Sequence, residues 1–435
     1  MTRAAWAATW ISSLEHRRSS APRPDYDARL PWLSENSLFE ALGTRAMFLG
    51  SYGAADFGEC RQAVQRVGDG GIDDWHREWT RTAEWLVEQG DDSAGRGHPV
   101  SAREAYLRAT NYYRTAYTPL FGSPVDPRLK AGFDREQETF AKAAPLWDFP
   151  VELVEIPFAE GITLPGVFVG TGDGSRPRGT IVHVNGYDSN VHEMFAAHVP
   201  PAVSRGYSIL LFDGPGQGRN LIRDGLTIRP DWENVVGPVL DYALTRHEVD
   251  EGRIILAGWS FGGFLAPRAA GFERRIAALW ADPGQWDQRP ILLGRLPLSD
   301  EEKAMFPDGV DPHLLDTMEQ SLSSADADPF LRWSLVQRGT WVHGKDTLFD
   351  YAADAMRFEV SPVAGNIKCP TLVTAAEGDP IAAQAQKLFD GVGAERKILI
   401  RFTKAEGAGG HTEGAARHLF HRRCYDWLEE ALDDG

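Results

Sequence analysis

Along the first 150 residues the apolar positions recur at spacings of three and four. In residues 73–93, Trp75, Trp79, Ala83 and Leu86 form one stripe, and Ala105, Leu107, Ala109, Tyr112 and Ala116 form another in residues 101–121. That period is helical. Ser101 followed by Glu104 has the spacing of a capping box, which predicts that the second helix starts there. No strand-like alternation precedes residue 150, and no internal repeat is evident.

After "PLWDFP" the period changes. "VELVEIPFAE" and "ITLPGVFVGTG" alternate as strands and predict a hairpin. Short apolar runs then alternate with helical stretches. "GTIVHVNG" precedes a helix around "EMFAAHVPPAVSRG", "YSILLFDGPGQG" a helix over about residues 231–247, and "GRIILAGWS" the stretch "FGGFLAPRAAG", with "RIAALWADPG" closing the series. Buried strands alternating with helices make βαβ units and a mostly parallel sheet. From about residue 292 to 359 the rhythm stops, and the segment reads as helical and irregular. "CPTLVTAAEGD" and "RKILIRFTKAEG" restore two strands, and a last helix is predicted over residues 415–432. The expected architecture is α/β: a helical domain over residues 1–150, then a mostly parallel, doubly wound sheet over residues 151–435, interrupted by a cap insertion at about 292–359.

Composition narrows the partners. The formal net charge of −17 argues against nucleic acid, since phosphate binding needs clustered Lys and Arg and no basic run is present. Three cysteines, Cys60, Cys369 and Cys424, are odd in number and far apart, which excludes a disulfide framework or multi-cysteine zinc site and suggests a reducing compartment. The apolar stretch Ala4–Ile11 is short, and no small-residue cleavage pattern follows it, so it does not read as a signal peptide. No run approaches the roughly 18 apolar residues of a membrane span. A cytoplasmic protein with no membrane partner is expected.

The candidate chemistry begins at Gly258-Trp259-Ser260-Phe261-Gly262, which fits G-x-S-x-G. Glycines flank such a serine because a strained strand-to-helix turn leaves no room for side chains beside it. The pattern alone is short enough to occur by chance, but here a predicted strand precedes it and a helix of small residues follows. A serine nucleophile needs a base, and an acid to orient that base, in the chain order Ser, acid, His. His411, in the glycine-rich loop "EGAGGHTEG" after the last predicted strand, is the only one of twelve histidines so placed. His183 falls inside a strand, and His418 and His421 fall on the final helix. Two acids compete. Asp379 ends the strand before the histidine, and Asp282 ends the strand before that; the one that is not the acid is free to line the pocket. Glu377 reads as solvent-facing. The Phe261 amide, with that of Tyr187 or its neighbour Asp188 in "HVNGYDSN", is positioned to form an oxyanion hole, and Gly186 permits close backbone approach.

Other patterns read as structural. Gly214, Gly216 and Gly218 fall one residue short of G-x-G-x-x-G and are expected to lead into a polar loop, so no dinucleotide cofactor is expected. His192 and His198 are six apart, on different helix faces, which disfavours a zinc pair. No metal or other cofactor is expected. The aromatics Trp75, Trp79, Tyr106, Tyr112 and Tyr113 have the spacing of helix core, with contact to a flat substrate as the alternative.

With Ser260, Asp379 and His411 in order, the chain resembles the α/β-hydrolase superfamily from about Val151 onward. The stretches "DDWHREWTRTAEWL", "GHPVSAREAYLRATNYYRTA", "GYDSNVHEM", "DGPGQG", "DPGQWD" and "GAGGHTEGAAR" extend the likeness over nearly the whole chain. They resemble a subgroup that includes 2,6-dihydroxypseudooxynicotine hydrolase, fungal heptaketide-shortening hydrolases and relatives of the fermentation–respiration switch protein. The resemblance implies an α/β-hydrolase fold whose N-terminal helices form a lid, and a homodimer. It also implies hydrolysis of a carbon–carbon bond beside a ketone in an aromatic or polyketide-like small molecule. The same three residues also suit an ester, lactone or amide hydrolase, or an acyl transfer or cyclisation. A non-catalytic binding protein would have no need of all three. The stretch 292–359 departs from the subgroup's motifs, which leaves the substrate open.

Overall fold

The computed structural model describes residues 32–171, 174–324 and 326–433; the stretch Ala4–Ile11 lies outside them. Five helices come first: α1 (Ser37–Phe48), α2 (Phe57–Val67), α3 (Ile72–Gly95), α4 (Pro99–Tyr117) and α5 (Pro127–Ala143). The apolar stripes of α3 and α4 face one another and are buried. Phe39 stacks on Trp75 with ring centroids 4.5 Å apart, Trp79 meets Tyr112 edge-on at 5.3 Å, and the Trp75 indole N–H donates to the Thr115 carbonyl at 2.8 Å. Burying an indole is favourable when its polar edge keeps a partner. All five helical aromatics, Tyr106 and Tyr113 included, are core residues. Helix α4 begins two residues before the predicted cap at Ser101. Pro99 takes its first position, where the missing N–H is no loss and the fixed φ is already helical.

The eight strands are β1 (Val151–Ala159), β2 (Ile162–Val169), β3 (Thr180–Val184), β4 (Ser208–Phe212), β5 (Ile254–Trp259), β6 (Ala278–Asp282), β7 (Thr371–Ala376) and β8 (Lys397–Phe402), in the order β1-β2-β4-β3-β5-β6-β7-β8. The β1–β2 hairpin and the β2–β4 pair are antiparallel, and every pairing from β4 to β8 is parallel. Helices α6 (Val191–Val203), α7 (Gly218–Ile222), α8 (Glu233–Ala243) and α9 (Gly262–Ala270) interleave with them. Every residue of β3 to β7 is buried, because alternate side chains meet helices on opposite faces. Val182, Leu210 and Leu256 join α8 and α9, while Ile181, Ile209 and Ile255 join α6 and the C-terminal helix Arg417–Asp433.

Helix α7 stands where a polar loop is predicted. Five residues are too few to display a period, and what holds the turn is the buried Asp213 carboxylate, which accepts from the Arg219 amide at 3.4 Å. Gly218, at φ 42°, is needed there, since a Cβ would fall 1.9 Å from Asp213 Oδ2.

Between β6 and β7 the chain forms short helices, among them Asp316–Leu322, Arg338–His343 and Leu348–Ala355. They share a core of their own that includes Leu293, Phe306, Leu315 and Met318. This insertion also reaches the N-terminal helices: Trp341 packs on Phe121 at 5.2 Å, and the Trp333 indole N–H donates to the Thr118 carbonyl at 3.0 Å. No helix among the described residues is long and apolar enough to cross a membrane.

Candidate active site

Strand β5 ends at Trp259, and the chain turns sharply through Ser260 into α9. Ser260 has φ 57°, a conformation that a residue with a side chain adopts only under strain. Both flanking glycines are required by backbone contacts. A Cβ on Gly258 would lie 2.0 Å from the Gly262 carbonyl oxygen, and one on Gly262 would lie 2.4 Å from that of Val184. Gly186 packs against the serine itself, its absent Cβ 3.0 Å from Ser260 Cβ. Gly186→Ala is therefore expected to keep the fold while shifting the serine by a few tenths of an ångström. A fall in kcat/KM of roughly 10- to 100-fold should follow, with little change in melting temperature.

The loops after β7 and β8 bring two more predicted residues to this turn. Ser260 Oγ lies 2.8 Å from His411 Nε2, and His411 Nδ1 lies 2.8 Å from Asp379 Oδ2. Asp379 Oδ1 also accepts from the Ile381 amide at 3.0 Å, which fixes the carboxylate. Burial alone would depress the imidazole, but the Asp379 charge and hydrogen bond outweigh it and hold His411 above the ordinary histidine value. Burial likewise pushes Asp379 up, and contact with His411 reverses this and holds it below the ordinary carboxylate value. Among the described residues, no group accepts a hydrogen bond from the Phe261 or the Tyr187 amide, and both residues line the cavity in front of Ser260.

Asp282 is not brought to His411, and it does not line the cavity. It is 2% exposed; its Oδ1 accepts from the Thr374 hydroxyl at 2.8 Å and its Oδ2 lies 3.9 Å from Arg417. Its strand directs the side chain beneath the histidine loop, where burial pushes its carboxyl and that of Glu413 above the ordinary range. Glu377 is exposed, as expected. His192 and His198 serve separate buried networks, with Glu136 3.0 Å from the first and the His183 ring 4.1 Å from the second.

The cavity has a volume of about 490 Å³. Helix α1 supplies one wall through Leu42, Arg45 and Phe48, and the insertion supplies another through Leu292, Trp333 and Tyr351. None of the five N-terminal aromatics singled out above lines it.

A family model described as the alpha/beta hydrolase family matches residues 181–431. The chain belongs to this family. The hydrolase LUC6 of a Fusarium species is 32% identical over 408 residues, covering 90% of this chain and 94% of that protein. The 20-hydroxy-prefusarin hydrolase FUS2 of Gibberella moniliformis is 31% identical, covering 87% and 92%. Among solved structures, 2,6-dihydroxy-pseudo-oxynicotine hydrolase superposes with a TM-score of 0.69 over 89% of this chain and 95% of that one, at 22% identity, a likeness of fold. The protein is thus an enzyme of the α/β-hydrolase family.

This hydrolase also carries charge pairings around the site that the sequence pattern does not expose. Asp188, next to Tyr187, is clamped between Arg45 of α1 at 2.7 Å and Arg338 of the insertion at 2.5 Å, and its carbonyl accepts from Arg114 of α4 at 2.8 Å. Glu193 binds Arg45 and Arg114 as well, at 2.5 and 2.9 Å. Burial would push the Asp188 carboxyl up, but the three guanidinium groups hold it well below the usual range. Gln285 Nε2 donates to the Ser260 carbonyl at 2.6 Å and braces the turn from the β6 loop. One signal is present: Glu193 is the lone carboxylate of the largely apolar helix "VHEMFAAHVPPAV".

Proposed function

We propose that the enzyme is a serine hydrolase in which Ser260 is the nucleophile, His411 the base and Asp379 the acid. The observation that carries this reading is the unbroken relay of two 2.8 Å contacts from the Ser260 hydroxyl through His411 to a buried carboxylate. His411 Nε2 takes the hydroxyl proton as Ser260 Oγ attacks a carbonyl carbon, and the Phe261 and Tyr187 amides donate to the oxyanion. With a ketone flanked by an activated carbon, collapse re-forms the C=O and breaks the carbon–carbon bond. The electron pair leaves as an enolate, which takes the proton from His411. Water, deprotonated by the same imidazole, then hydrolyses the acyl-serine to a carboxylic acid. On a gem-diol path, His411 instead delivers water to the ketone directly.

A carbon–carbon bond beside a ketone in a diketone or polyketide-like substrate is the favoured target. Supporting it are the whole-chain motif resemblance and a cavity with apolar walls, and the 20-hydroxy-prefusarin hydrolase is a relative over most of its length. The N-terminal helices and the insertion act as lid and cap over Ser260. The test is to incubate the protein with a fluorophosphonate, with p-nitrophenyl acetate and with an aromatic 1,3-diketone. Labelling of Ser260 with diketone cleavage is expected; ester turnover without diketone cleavage would reject the carbon–carbon reading and leave an esterase. Absence of labelling and of any turnover would reject the serine mechanism.

A further inference from the structure

The cavity holds a guanidinium that the relay does not use. Arg295 projects from the insertion into the same space as Ser260 and His411. Among the described residues it forms no side-chain ion pair or hydrogen bond. The charged groups that act on it are Arg338, which repels it, and Asp379, which is committed to His411. Burial in this setting draws its pKa below the usual arginine value. Arg338, by contrast, is paired with Asp188 at 2.5 Å, and only its Nε is buried without a hydrogen-bond partner. Around these groups the walls are apolar, with Phe48, Ile291, Leu292, Phe330 and Trp333. A cation left unpaired in a cavity costs solvation free energy unless a ligand supplies the counter-charge. It is also out of keeping with a chain of net charge −17, whose surplus is acidic.

We propose that Arg295 is a specificity residue, and that the substrate carries a carboxylate on an otherwise apolar body, held by the Arg295 guanidinium. A planar fork of N–H donors matches a carboxylate in two parallel hydrogen bonds, and the apolar walls match the rest. The proposal rests on the cavity being the substrate site of the hydrolase described above, but its test needs no turnover.

Binding of 1-naphthaleneacetic acid and of its neutral amide, 1-naphthaleneacetamide, would be measured by calorimetry on Ser260→Ala protein, with Arg295 intact or replaced. With Arg295 the acid should bind at least about tenfold more tightly than the amide. Arg295→Gln should bring the two to within about threefold by weakening the acid alone, and Arg295→Lys should keep part of the preference. Unchanged amide binding shows that the variant is folded. Equal binding of acid and amide, no binding of the acid, or a preference that survives Arg295→Gln overturns the proposal. Failure of fluorophosphonate labelling in the parent protein would count against the serine mechanism and leave this binding result standing by itself.

Discussion

Asp379→Asn is expected to lower kcat/KM by about 10³- to 10⁴-fold, and Asp282→Asn by no more than about tenfold. Asp282 ends β6 and Asp379 lies in the loop after β7, but only Asp379 faces the imidazole, 2.8 Å from His411 Nδ1. An amide there can present its NH₂ to Nδ1 and stabilise the wrong tautomer, and it cannot balance the imidazolium that forms as Ser260 attacks. Ser260→Ala should cost at least as much, and the double variant little more than either single one, because the relay acts as a unit. The pH profile gives an independent reading. In the proposed mechanism His411 must be neutral to act as base, and its pKa lies above the ordinary histidine value because of Asp379. The parent kcat/KM should therefore rise with pH through a midpoint above about 6.5, and Asp379→Asn should move that midpoint to lower pH. A larger loss from Asp282→Asn than from Asp379→Asn would reassign the acid.

Asp188→Ala is expected to be the most damaging change to stability outside the apolar core, at roughly 3–5 kcal/mol in urea denaturation. It leaves Arg45 and Arg338 facing each other without the carboxylate that separates them, in a site where Asp188 is buried and both arginines are largely so. Asp188→Asn keeps the volume but not the charge and should cost a large part of the same amount. The sign of the pH dependence follows from a depressed carboxylate. The contribution of Asp188 is complete above its unfolded-state pKa of about 3.9 and is lost only as pH falls through the still lower folded value. Parent and variant should therefore differ by a constant amount from neutral pH down to about 4, and converge below it. Because Asp188 follows Tyr187, kcat should fall with little change in KM for a small ester that does not reach the clamp.

Why some of this was legible from residue order and some was not has a physical basis. The strand, the flanking glycines and Ser260 lie within a few residues of each other, so local sterics declare them. His411 and Asp379 are distant, but each follows a strand of a parallel sheet, and topology alone carries their loops to one edge. The choice between Asp379 and Asp282 depended on whether the carboxylate at the end of β6 or the one in the loop after β7 reaches His411, and residue order does not resolve that. Arg45, Asp188 and Arg338 come from three segments without a shared period, and no spacing encodes the pairing of charges between them. The early start of α4 at Pro99 and the five-residue α7 were missed for a smaller reason: one capping signal outweighed another, and a helix that short shows no periodicity.

The clamp on Asp188 also bears on how such an enzyme can change during evolution. The segments that shape the cavity and the loop that carries the Tyr187 amide are held by the same carboxylate. Grafting α1 or the insertion from a relative with another substrate would thus import or remove one half of an ion pair on the loop that follows β3. A chimera that keeps residues 45 and 338 as arginines should retain turnover, and one that changes either should lose it before the new substrate is ever tried. If the proposed site roles hold, a new specificity and catalysis would be inherited in this chain as linked traits.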